Sequence, residues 1–179
     1  MHEAQKTATQ LTIALAITLG SLPLLAETNW PQWRGPSGNG HSSVANVPVQ
    51  WSADSLLWKT KLPGQGQSTP IYWENKLFVT SSLDDGSKRV LVCIDLESGK
   101  ILWQKTLAER LPHEGGHFTG SLASNSPATD GQRVFAFFGS RGLYCLDVSG
   151  KLMWQVQPGK MATKHNHGEG ASPALHGQT

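Results

Sequence analysis

The feature that most constrains this chain is that it repeats itself. The stretch Cys93 to Gln104 (CIDLESGKILWQ) returns as Cys145 to Gln155 (CLDVSGKLMWQ) with one residue fewer in the turn. Trp103 and Trp154 thus stand about 51 residues apart, a period that belongs to repeat architectures. Upstream of each copy comes an apolar run, Leu77-Phe78-Val79 or Val134 to Phe138, and before that a Ser/Thr-Pro pair, Thr69-Pro70 or Ser126-Pro127. Ser172-Pro173-Ala174-Leu175 opens a third copy, and Leu56-Leu57-Trp58-Lys59 matches the end of an earlier one.

Within each copy, short β-branched or aromatic segments alternate with turn residues. Asp85-Gly86 and Asp130-Gly131 are hairpin signals, and Ser98-Gly99 and Ser149-Gly150 supply the glycine that a tight turn needs at positive φ. The reading is four strands per copy: 69–73, 76–81, 89–95 and 100–106, then 126–129, 133–138, 142–147 and 151–156. Composition agrees, because 19 Gly and 10 Pro against only 16% charged residues describe a chain rich in turns and poor in solvated helix faces. Four-stranded units at this period are propeller blades, which hide their apolar faces by stacking on neighbours; a solenoid or sandwich is the lesser option. The expected fold is all-β, a partial β-propeller with blades at about 64–106 and 124–156 and a third beginning near 171. Val49 to Leu62 is expected to hold a strand that would complete the last blade of a closed ring.

The recurring residues have structural work in such a unit. Asp95 and Asp147 end the third strand, where a carboxylate accepts backbone N–H bonds from the following turn. Gly99 and Gly150 make that turn. Trp103 and Trp154 are placed to cover an adjacent blade while the indole N–H reaches a backbone acceptor. Cys93 and Cys145 occupy equivalent positions in successive units, too far apart for a disulfide, and read as two buried thiols.

The N-terminus reads as a secretory signal. Lys6 precedes an apolar run from Leu11 to Leu25, broken by Ser21 and Pro23, with cleavage expected after Ala26. Residues 1–26 are therefore assigned as signal, 27–48 as an N-terminal extension and 49–179 as propeller. The expected location is secreted or periplasmic, without stable membrane insertion after cleavage. A net charge of +2 with no basic block gives no electrostatic case for nucleic acid.

At the level of motif, the sequence resembles the pyrroloquinoline-quinone-like (PQQ-like) β-propeller repeats, whose units end in Asp-x-x-[Thr/Ser]-Gly-x-x-x-Trp. Asp95 to Trp103 fits that spacing, and Asp147 to Trp154 fits it with one deletion. The opening Trp30-Pro31-Gln32-Trp33-Arg34-Gly35-Pro36 is similar to that of a group of secreted bacterial members named after the outer-membrane-protein assembly factor BamB. The resemblance implies a ring of about seven or eight blades, so the chain is expected to be an N-terminal fragment whose open arc leaves strand edges and blade faces bare. It also implies a binding or assembly scaffold, with protein clients engaged through the loop face or strand edges. The enzymatic alternative is a PQQ-dependent quinoprotein dehydrogenase, with PQQ and calcium as cofactors and its catalytic residues in other blades; no cofactor is expected under the scaffold reading.

Long links from one unit to the next, about Leu107 to Asn125 and Gln157 to Ala171, share one face of a propeller and hold most of the histidines. Candidate binding residues there are Arg110, His113, Glu114, His117, Arg141, His165, Asn166, His167 and Glu169. His113-Glu114-Gly115-Gly116-His117 matches H-E-x-x-H, but zinc chemistry with that motif needs a helix. Two glycines inside the pentad and Pro112 before it oppose one. A looser site with His165 or His167 has no ligand spacing behind it, so no metal is assigned. There is no Cys-Cys pair, no C-x-x-C-H, no G-x-S-x-G elbow and no phosphate loop, and no catalytic residue is assigned.

Overall fold

The computed structural model describes residues 29–44, 47–110, 120–163 and 168–177. Two four-stranded antiparallel sheets carry the fold. The first runs β1 (Ile71–Trp73), β2 (Lys76–Leu83), β3 (Lys88–Asp95) and β4 (Ile101–Glu109), and the second β5 (Ala128–Thr129), β6 (Arg133–Phe137), β7 (Leu143–Asp147) and β8 (Leu152–Val156). Each sheet is a meander in chain order. The expected all-β architecture is present, and the corrections are local. β1 and β5 begin two residues late because Pro70 and Pro127 have no N–H to give a ladder. β4 runs on to Glu109, since Lys88 still pairs with Glu109 and the Arg110 N–H reaches the Ser87 carbonyl at 2.8 Å. Val49 to Leu62 forms no strand: Ala53–Ser55 is a single 3-10 turn, and the residues after it have no ladder partner among the described residues.

Period-two alternation along β3 explains how the first sheet is covered on both sides. Leu91 and Cys93 point into a cluster with Ile71, Phe78, Val134, Ala136, Tyr144 and Leu146, which joins the two sheets. Val90, Val92 and Ile94 point the other way, into a second cluster with Val79, where Trp58 and Leu77 pack over them. All five β3 residues from Val90 to Ile94 are buried, as expected for a strand inside a stack.

The repeat motif is the fastener between units. Trp103 Nε1 donates to the Val148 carbonyl at 3.3 Å, and its ring lies where a Cβ on Gly150 would sit, 2.9 Å away. Trp58 does the same one unit earlier, donating to the Leu96 carbonyl at 2.9 Å and lying over Gly99. Thus the 56–59 segment, though no strand, seats its indole in the same relation to the first sheet as Trp103 has to the second. A second fastener recurs at the first strands: the Thr69 N–H donates to Ser126 Oγ at 2.8 Å, and the Ser126 N–H to Ser172 Oγ at 2.9 Å. Residues 172–175 form no ladder, yet Ser172 occupies the position that the repeat requires.

The N-terminal extension lies across the first strands of successive units. Trp30 exchanges two 2.9 Å backbone bonds with Tyr72 of β1, the Pro31 carbonyl accepts from Thr129 of β5 at 2.8 Å, and Gln32 Oε1 accepts from the Leu175 N–H at 2.8 Å. Three consecutive residues thus touch three consecutive units. The chain then turns sharply at Arg34 and Gly35, with φ of 65° and 77°, where the Trp30 ring occupies the space a Gly35 side chain would need.

Candidate functional site

Of the nine loop residues expected to bind, His113, Glu114, His117, His165, Asn166 and His167 lie outside the described residues. Arg110, Arg141 and Glu169 are placed, and they converge on one end of the sheets. Arg110 closes β4, Arg141 sits in the Gly139–Arg141 turn between β6 and β7, and Glu169 reaches that turn from the link beyond β8. Arg110 and Arg141 line a common crevice of about 440 Å³, with Ser140, Tyr144, Gln157 and Lys160 among its other walls. Glu169 has a different task. Its carboxylate accepts the Ser140 N–H at 2.5 Å and the Ser140 hydroxyl, while the Met161 N–H donates to Ser140 Oγ at 2.7 Å. The turn is therefore held by the link that passes over it.

Behind this turn is a charge that sequence reading missed. Arg89 at the start of β3 is 3% exposed, and its guanidinium donates to the Gly86 carbonyl. Burial first, and then the neighbouring Arg141, lower it to about 10 against the opposing pull of Glu169. It remains cationic at neutral pH. Nothing local marks Arg89 as buried, because an arginine beside Lys88 at a strand start reads as a solvated pair. Tyr144 also went unmarked: its hydroxyl donates to the Arg141 carbonyl at 2.6 Å and lies 3.3 Å from Gln157 Nε2.

The two repeat aspartates are engaged within their own units. Asp95 Oδ1 accepts the Ser98 N–H at 2.7 Å and the Ser98 hydroxyl at 2.6 Å, and Oδ2 accepts Asn75 Nδ2 at 2.6 Å. Asp147 Oδ1 accepts Ser149 twice and the Lys151 N–H at 3.0 Å. The serine hydrogen bonds hold both carboxyls below the usual carboxylate range. Cys93 and Cys145 are free and buried in β3 and β7; burial pushes the Cys93 thiol up to about 12 and raises Cys145 too, so neither is a ready nucleophile.

A family profile described as outer membrane protein assembly factor BamB matches residues 42–178. The chain belongs to the BamB family. BamB from Moraxella catarrhalis aligns with 48% of this chain and 21% of its own at 15% identity, with a TM-score of 0.32. A europium-containing methanol dehydrogenase aligns with 74% of this chain and 24% of its own at 18% identity, with a TM-score of 0.44. The chain thus spans about a quarter or less of the length of these two proteins. A search of curated proteins finds no match. Among the described residues no three His, Cys, Asp or Glu side chains stand together as metal ligands, and the two thiols are in separate sheets. Among the described residues no helix is long and apolar enough to cross a membrane.

Proposed function

We propose that this chain is an extracytoplasmic PQQ-like repeat scaffold that binds other proteins and performs no catalysis. The observation that carries the reading is a pair of open strand edges: β4 pairs only with β3, and β8 only with β7, among the described residues. An unpaired strand edge is the kind of surface on which β-rich partners add a strand. The family's description as an assembly factor supports the same role, and its name supports an extracytoplasmic location reached through the signal at residues 1–26.

The test separates a scaffold from an enzyme. Full-length protein is incubated with calcium and PQQ, then freed of unbound quinone by gel filtration. No retained quinone absorbance is expected. Stoichiometric uptake that requires calcium and is accompanied by dye-linked alcohol oxidation overturns the reading in favour of a quinoprotein dehydrogenase; calcium-independent uptake without turnover does not.

A further inference from the structure

We propose that the crevice between the two sheets, walled by the end of β4, the β6–β7 turn and the segment after β8, is a binding site for a small polyanion, a compact molecule bearing carboxylate or phosphate groups. At about 440 Å³ it falls in the range of small-molecule sites, and both sheets that form it are described. Arg110, Arg141 and Lys160 all line it. The single acid in its wall, Glu109, already stands 3.5 Å from Lys88 Nζ. No carboxylate lies within ion-pair distance of Arg110 or Arg141 among the described residues.

Arg141 supplies the second, independent observation. Its Nε is the one buried side-chain nitrogen or oxygen without a hydrogen-bond partner among the described residues. A buried guanidinium N–H without an acceptor is costly, and an oxygen of a bound anion removes that cost. The buried Arg89 lies close enough to Arg141 for the two charges to act on each other, with the Glu169 carboxylate acting in the opposite sense. The turn that presents Arg141 is fixed by Glu169 through Ser140 and by the Tyr144 hydroxyl, so the site is held in place before a ligand arrives. Arginine favours groups offering two oxygens in a plane or tetrahedron, which is why the ligand class is carboxylate or phosphate and not halide.

Isothermal titration of the full-length protein with citrate and with inorganic pyrophosphate tests this. At least one probe is expected to bind with one-to-one stoichiometry, and the tighter of the two identifies the head group. Arg141→Gln and Arg110→Gln are each expected to weaken it by about tenfold or more, with the thermal midpoint preserved. Lys151→Gln, on the exposed β7–β8 turn outside the crevice, is expected to leave binding unchanged. No binding of either probe overturns the proposal. So does an equal loss in all three variants, which is the signature of diffuse charge attraction. Because Arg110 is exposed, its variant keeps the test decisive even if Arg141→Gln unfolds.

Discussion

At the scale of single residues, the two aspartates of the repeat show how the motif works. Their carboxyls titrate lower in the folded protein than in the unfolded chain, so they add stability above the ordinary carboxylate pKa, and that contribution fades as pH falls through the lowered value. Asp95→Ala and Asp147→Ala are therefore expected to lower the thermal midpoint at neutral pH, and the gap to the parent is expected to shrink below about pH 4. Melts across a pH series check this, and a gap constant with pH would sink the explanation. Gly99 is the other half of the device. At φ +69° a Cβ would stand 2.5 Å from the Trp58 ring, so Gly99→Ala is expected to cost about 1–3 kcal/mol in urea unfolding. These roles were legible in the sequence, because Asp, Ser and Gly at fixed offsets constitute local turn chemistry. Arg89 and Tyr144 were not legible, since their burial depends on what a strand about fifty residues away brings over them.

At the scale of elements, what sets a tryptophan's worth is whether a neighbouring unit covers it. Trp103 joins the core between the sheets and bonds Val148, whereas Trp154 holds the same place in its own sheet with a half-exposed ring. In the 179-residue chain Trp103→Ala is expected to cost about 2–4 kcal/mol, and Trp154→Ala less than about 1 kcal/mol. Denaturant midpoints of the two variants measure the difference directly, and equal losses would show that the indoles act within their sheets and not between them. Strand positions were legible because alternation and turn glycines are short-range signals. The errors came where neighbours decide: prolines trimmed β1 and β5, ladder bonds to Lys88 and Ser87 prolonged β4, and the absence of a paired strand kept 56–62 out of the ladder. The candidate site was legible only as a face, because loop charges carry no signal for which of them share a crevice.

At the scale of the molecule, the opening motif proves to be a tie across units. Its residues were visible in the sequence, but their contacts lie far along the chain, up to Leu175, and no local pattern encodes them. Gln32→Ala removes one such bond and is expected to cost about 0.5–1.5 kcal/mol, with faster amide exchange at Leu175 as its specific signature. Unchanged exchange there would mean that the third unit is held by Asn125 and Ser126 without help from Gln32. The placement of Trp30, Pro31 and Gln32 also sets an order of events during synthesis. Ribosomes deliver the amino end first, yet its docking partners at Tyr72, Thr129 and Leu175 emerge one after another behind it. The earliest segment to be made is thus among the last to settle, and until it does the nascent blades must wait with their first strands uncovered.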